Sequence, residues 1–235
     1  MRKLIKMEID NHKRIIATLK SKSCLKQDVY GLTKDVFGQL KKRLEDYCKA
    51  LESQVCPLDE RIRIQYREQG DYACEATIAG DVLIFVMHTN VSQFEEEHSV
   101  WNTSYMKEDG NRGYCGTIHV YNFLADSFRH NRVSDTGYLI GRLFVNKDRH
   151  FFVQGKRPLG LLFNDFVNDE LTEEKVQEVI EAAILYTLDF DLYSPPYQQI
   201  QEVSVQEMMM INQSTFLHTG KRVGYKFQTE GDQFE

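Results

Sequence analysis

The spacing of apolar residues changes once along the chain, from steps of three and four before Pro57 to steps of two after it. That change divides the sequence into a helical part and a sheet-forming part. Over residues 26–54, Val29, Leu32, Val36, Leu40, Leu44, Tyr47 and Leu51 mark one face of an amphipathic helix. A shorter helix over residues 8–20 carries Ile9, Ile16 and Leu19 near one face. The Ser-Lys-Ser-Cys stretch at 21–24 is expected to break it, so that residues 1–56 form an antiparallel helical hairpin. Pro57, which lacks an amide hydrogen and disfavours helix in Cys56, closes the region.

From residue 61 the alternation is strict: Ile62, Ile64 and Tyr66 share one face, and Arg61, Arg63, Gln65 and Arg67 the other. Turns at Gln69-Gly70-Asp71 and Gly80-Asp81 predict a three-stranded antiparallel meander. Its third strand, apolar at almost every position over 82–87, reads as covered on both faces. Further strands are predicted at 117–124, 138–145 and 150–154, the last two joined by Asn146-Lys147-Asp148-Arg149. In the strand from Tyr138, alternation sends Leu139, Gly141, Leu143 and Val145 to the core, and Tyr138, Ile140, Arg142, Phe144 and Asn146 to the opposite face. A guanidinium among such neighbours needs a counter-charge. Arg142 is therefore expected to pair with Asp126, Asp135 or an acid over 173–181 of the helix read at 172–190, the open alternative being a cleft with His119 or His130 nearby. That helix carries the stripe Val176, Ile180, Ala183, Ile184 and Leu188, with acids in its first turn. A short helix and one last strand are expected in the tail over 203–227.

Together these elements predict an α+β fold: an N-terminal helical hairpin (1–56), then a domain (57–235) with a twisted antiparallel sheet of about six strands and a long helix packed on it. A chain of 235 residues, 42% hydrophobic, can bury a substantial core. No window approaches the roughly eighteen apolar residues of a membrane helix, and no apolar run follows the basic residues at the start. Five widely spaced cysteines without a Cys-x-x-Cys pair read as free thiols. A cytoplasmic protein with no membrane partner is the expectation. The net charge of -6 conceals polarity: residues 1–56 hold 13 Lys and Arg against 7 acids, and the remainder 16 against 28. The basic part could track phosphates, or dock on the acidic remainder of its own chain or of a partner subunit.

Chemistry is legible mainly by exclusion. Five of the seven histidines, His88, His98, His119, His130 and His150, fall between the third strand and the last hairpin, but none has the His-x-His or His-x-x-x-His spacing that forces metal ligands together. No metal or cofactor is therefore expected. Glu75 and Asp81 lack the acid-x-acid-Lys grammar of a magnesium nuclease. Cys115 and His119 share a strand face about 13 Å apart, too far to exchange a proton directly. Neither a nucleophile elbow nor a phosphate-binding glycine loop occurs.

What remains is an aromatic and polar region over residues 101–157. Aromatic walls with a few amide and guanidinium groups suit a planar or sugar-like ligand, or a peptide, although strand aromatics also make ordinary core. Trp101, His119, Tyr121, His130, Arg132, Asp135 and Arg142 are the candidate ligand-binding residues. The reading is a binding or regulatory module of bacterial type, recognising a small molecule or another protein and pairing with itself as a homodimer through its N-terminal helices. One alternative is an enzyme, such as a hydrolase, in which the fold brings His88, Asp126, His130, Arg132 and Asp135 together. A second, less favoured, is a nucleic-acid binder using the basic helices.

Overall fold

The computed structural model describes residues 2–133, 135–191, 196–206 and 208. The last strand expected in the tail, and most of the short helix before it, lie outside the described residues.

The N-terminal region is a rod, not a hairpin. Helix α1 (Arg2–Thr18) passes through one π turn (Leu19–Ser23) into α2 (Cys24–Val55), and Thr18, Ser23 and Cys24 all keep right-handed helical dihedrals. The expected break fails because the 21–24 stretch holds neither glycine nor proline. The Ser21 hydroxyl donates back to the Ala17 carbonyl at 2.9 Å, so the helix widens by one turn instead of ending. At 1.5 Å per residue the rod is about 80 Å long. Every residue from Asp10 to Lys22 is exposed, so this stretch of the rod stands away from the core.

The sheet comprises β1 (Ile64–Glu68), β2 (Ala73–Ile78), β3 (Asp81–Met87), β4 (Ser92–Gln93), β5 (Tyr114–Leu124), β6 (Tyr138–Asn146) and β7 (Phe151–Gly155). The order is β1-β2-β3-β5-β6-β7, antiparallel throughout, and the short β4 pairs with the start of β5 beyond the end of β3. The outer edge of β7 is occupied: Phe151 and Val153 donate their amides to the carbonyls of Asp169 and Phe163.

One face carries the core. Ile64, Cys74, Ala76, Ile78, Leu83, Phe85, Met87, Ile118, Val120, Leu143, Val145, Phe151 and Val153 meet Val36, Phe37, Leu40, Leu44 and Cys48 of α2. The same cluster takes in Leu159 of the short α5 (Leu159–Leu162) and Val176, Val179, Ile180, Ala183 and Ile184 of α6 (Glu173–Leu188), whereas Leu188, expected in that stripe, is exposed at the end of the helix. Two shorter helices, α3 (Ser104–Glu108) and α4 (Ala125–Arg129), flank the sheet. Thr172 caps α6 by accepting the Lys175 amide, and Glu173 and Glu174 stand in its first turn where the helix dipole favours them. The stripe of α2 is thus consumed by the sheet, each fully buried large side chain contributing about 1.5–3 kcal/mol.

Two expectations are corrected. The third strand is not covered on both faces: Ile84 and Val86 are only half-buried on the side away from the helices. In β6 the alternation slips at its beginning, because the β5–β6 register shifts between Val120 and Tyr121. Ile140 is consequently core at 1% exposure, and Leu139, expected there, is 42% exposed.

The closest contact of helix with sheet is at Gly116 on β5, where a Cβ would lie 1.9 Å from Thr33 Oγ1. We expect Gly116→Ala to lower stability by about 1–3 kcal/mol, read from denaturant midpoints at unchanged slope. The thiols offer a second check. Burial pushes Cys48 up to about 11 and Cys74 up to about 12, and raises Cys115 as well, whereas Cys24 is exposed. Thiol titration of the native protein should find Cys24 fast and Cys48, Cys74 and Cys115 protected, with all five reacting after denaturation.

Candidate functional site

The face of the sheet opposite the helices divides into three zones. At the end near the β6–β7 turn, Phe94, Phe144, Phe152 and Phe166 stack with ring centroids 5.0–5.9 Å apart and join Val100, Tyr105, Met106 and Cys115 in a second hydrophobic cluster. Trp101 packs against this cluster. Its Nε1 donates to the Glu95 carbonyl at 2.8 Å, and its ring closes on Gly113 so tightly that a Cβ there would lie 2.5 Å away. A polar network anchors the layer. Asn146 Nδ2 donates to Tyr105 Oη at 2.9 Å, and Tyr105 stacks on His150 at 4.7 Å. Arg112 lies 4.1 Å over the Tyr105 ring and pairs with Asp148 at 3.1 Å. Partial burial alone would raise Asp148, but the ammonium of Lys147 and then the guanidinium of Arg112 together hold it below the usual carboxylate range.

At the opposite end, β5 runs into α4. His130 follows that helix on the exposed surface, its amide donating to the Asp126 carbonyl. Arg132 and Asp135 form a nearly buried ion pair at 3.0 Å, and Asp135 also accepts the Ser127 hydroxyl at 2.6 Å. Asp126 is engaged by Arg129 at 2.8 Å. Trp101 beside the start of β5 and the His130–Asp135 group beyond its end are separated by the length of that strand, about 35 Å.

The middle zone is open, and it gathers three of the seven candidates. His119 on β5 stands in register with Val86 on β3 and Arg142 on β6, and Arg142 in turn with Gln154 on β7. Tyr121, two positions along β5, keeps its hydroxyl 3.1 Å from His119 Nδ1. Arg142 lies 5.4 Å from the centre of the Phe144 ring and donates to the Gln154 side-chain carbonyl. The counter-charge expected for it is absent: among the described residues Arg142 forms no ion pair, Asp126 and Asp135 being paired with Arg129 and Arg132, and the acids of α6 lying with that helix on the other face of the sheet. Arg142 and Lys156 instead rim a shallow depression of 320 Å³, lined further by Leu139, Gly141, Gln154 and Gly155.

The zone is electropositive. His119 is held below the ordinary histidine value, first by partial burial, then by the charge of Arg142, then by His88, whose ring lies 6.2 Å away. Among the described residues, no three His, Cys, Asp or Glu side chains are grouped to hold a metal ion, and no helix is long and apolar enough to cross a membrane. Comparison with protein-family models, with curated proteins and with solved structures finds no match for this chain.

Gln154, Lys156 and Leu139 were not among the candidates. The first was missed by one residue: a turn over 146–149 would set Val153 opposite Arg142, whereas the observed register sets Gln154 there. Leu139 was hidden by the register shift that leaves Ile140 of its own strand without a partner on β5.

A histidine resisting protonation makes folding pH-dependent. The unfolded chain takes up a proton near the ordinary value of about 6.5, the folded one only below it, so stability falls as pH drops through that window. We expect His119→Gln to lose less melting temperature than the parent between about pH 7 and about pH 5.

Proposed function

We propose that this chain is a non-enzymatic binding module of a bacterial-type cytoplasm, whose open sheet face takes a small amphipathic carboxylate. The observation that carries the reading is Arg142: half-buried, backed by an aromatic ring, and without a carboxylate partner among the described residues. A ligand carboxylate set between Arg142 and Lys156 supplies that charge, and its apolar part lies on Leu139 and Tyr121. A charge-assisted hydrogen bond of this kind contributes about 1.5–3 kcal/mol. The unbridged state of all five cysteines supports a reducing compartment.

Benzoate tests the reading, with inorganic phosphate as an anion lacking an apolar part. Titration followed by amide and side-chain NMR shifts should perturb Arg142, His119 and Tyr121 with benzoate more than with phosphate. Arg142→Gln should weaken binding by at least about tenfold at unchanged melting temperature. Because an anion beside His119 restores its affinity for a proton, binding should tighten as pH falls from about 7.5 to about 6. Shifts confined to other surfaces, or none at millimolar benzoate, would overturn the assignment.

A further inference from the structure

We infer that the projecting helix α1 docks on the outer face of α6 in a second copy of this chain, the two copies exchanging arms reciprocally. Two surfaces of opposite charge, unpartnered among the described residues, support it. On the arm, Ile15 and Leu19 are 58% and 55% exposed and Ile16 is 39% exposed, and all three lie on one side of the helix. Residues 1–26 hold eight Lys and Arg against two acids. On the body, Glu174, Glu178, Glu181, Leu185 and Leu188 follow one another at steps of four and three along the side of α6 turned from the core. Leu185 and Leu188 are 58% and 49% exposed, and Leu161 and Leu162 of α5 are exposed too. Residues 165–191 carry nine acids and one lysine.

Among the described residues neither surface is completed within its own chain: the arm is exposed from Asp10 to Lys22, and the apolar stripe of α2 is already spent on the sheet. Pairing α1 with a second α1 would bring two strongly cationic helices together, with Lys13 and Lys20 beside the apolar seam of each. Pairing α1 with α6 places isoleucine and leucine on leucine, and lysine beside glutamate. Reciprocal exchange about a twofold axis makes the contact twice. With the stripe of α2 buried on the sheet, the homodimer expected through the N-terminal helices is built here from the arm.

The test is sedimentation velocity on the full chain, with two double variants at exposed positions: Ile16→Glu with Leu19→Glu, and Leu185→Glu with Leu188→Glu. Unchanged melting temperatures serve as the control, and serines at 185 and 188 replace the glutamates if α6 is weakened. The parent should be a dimer whose dissociation constant rises with salt. Each variant alone should dissociate at least tenfold more readily. An equimolar mixture of the two should recover dimer, because one arm and one α6 face remain intact and complementary. A parent that stays monomeric at high concentration overturns the inference, whether or not it binds anionic vesicles or nucleic acid through the arm. Loss of the dimer in the arm variant alone, with the α6 variant still dimeric, overturns it in favour of pairing between arms.

Discussion

The fold hangs on the contact between Thr33 of α2 and Gly116 of β5. Only a residue without a side chain lets the helix come this close, and the polar atom at the tightest point is satisfied within its own helix, Thr33 Oγ1 donating to the Val29 carbonyl at 2.6 Å. Because β5 lies inside the sheet and pairs with β3, β4 and β6, seating α2 there centres the helix layer and leaves room for α6 alongside. The seat also settles what becomes of the rod. A helix pinned by its second half, and longer than the sheet it lies on, must overshoot, and α1 is the overshoot.

A sheet with helices on one side must resolve its other side by different means. Here the aromatic side chains of the 94–113 loop and of β6 and β7 bury one end, and α4 with the Arg132–Asp135 pair occupies the other. Between them the face stays wet, which is what permits Arg142 and Lys156 to remain cationic close to apolar surface, beside a His119 that resists protonation, without the desolvation cost a closed core would impose. The site is thus a by-product of incomplete coverage, positioned by strands whose backbone ladders are rigid.

Periodicity made most of this legible: the change of step at Pro57, the strand alternation of Ile64 and Tyr66, and the stripe of α6 each follow from one physical rule applied locally. What escaped was non-local or hung on a single residue. Nothing in residues 138–140 announces that Ile140 will be core and Leu139 exposed, because what decides it is the pairing with β5, in which Val120 faces Gly141, Tyr121 faces Leu139 and Ile140 is passed over. The helix break read at Ser21 failed because a serine hydroxyl can return to the carbonyl four residues back as readily as it can cap a new helix. The seven candidate residues share a region of sequence, but an extended strand carries neighbours in sequence far apart, so His119, Tyr121 and Arg142 meet in the middle of the sheet while Arg132 and Asp135 pair at one end and Trp101 packs at the other.

The π turn at Leu19–Ser23 has a consequence for direction. An α-helix advances about 100° per residue, and a π turn, with its wider ring, lags behind that count by roughly a quarter of a revolution over its length. On an uninterrupted helical wheel the apolar sides of α1 and α2 fall near one another, and the arm would present its isoleucines toward the side on which its own sheet lies. The lag swings them away. The rod therefore works as a compass needle bent once at its pivot: its length decides how far the arm reaches, and the pivot alone decides which way it faces.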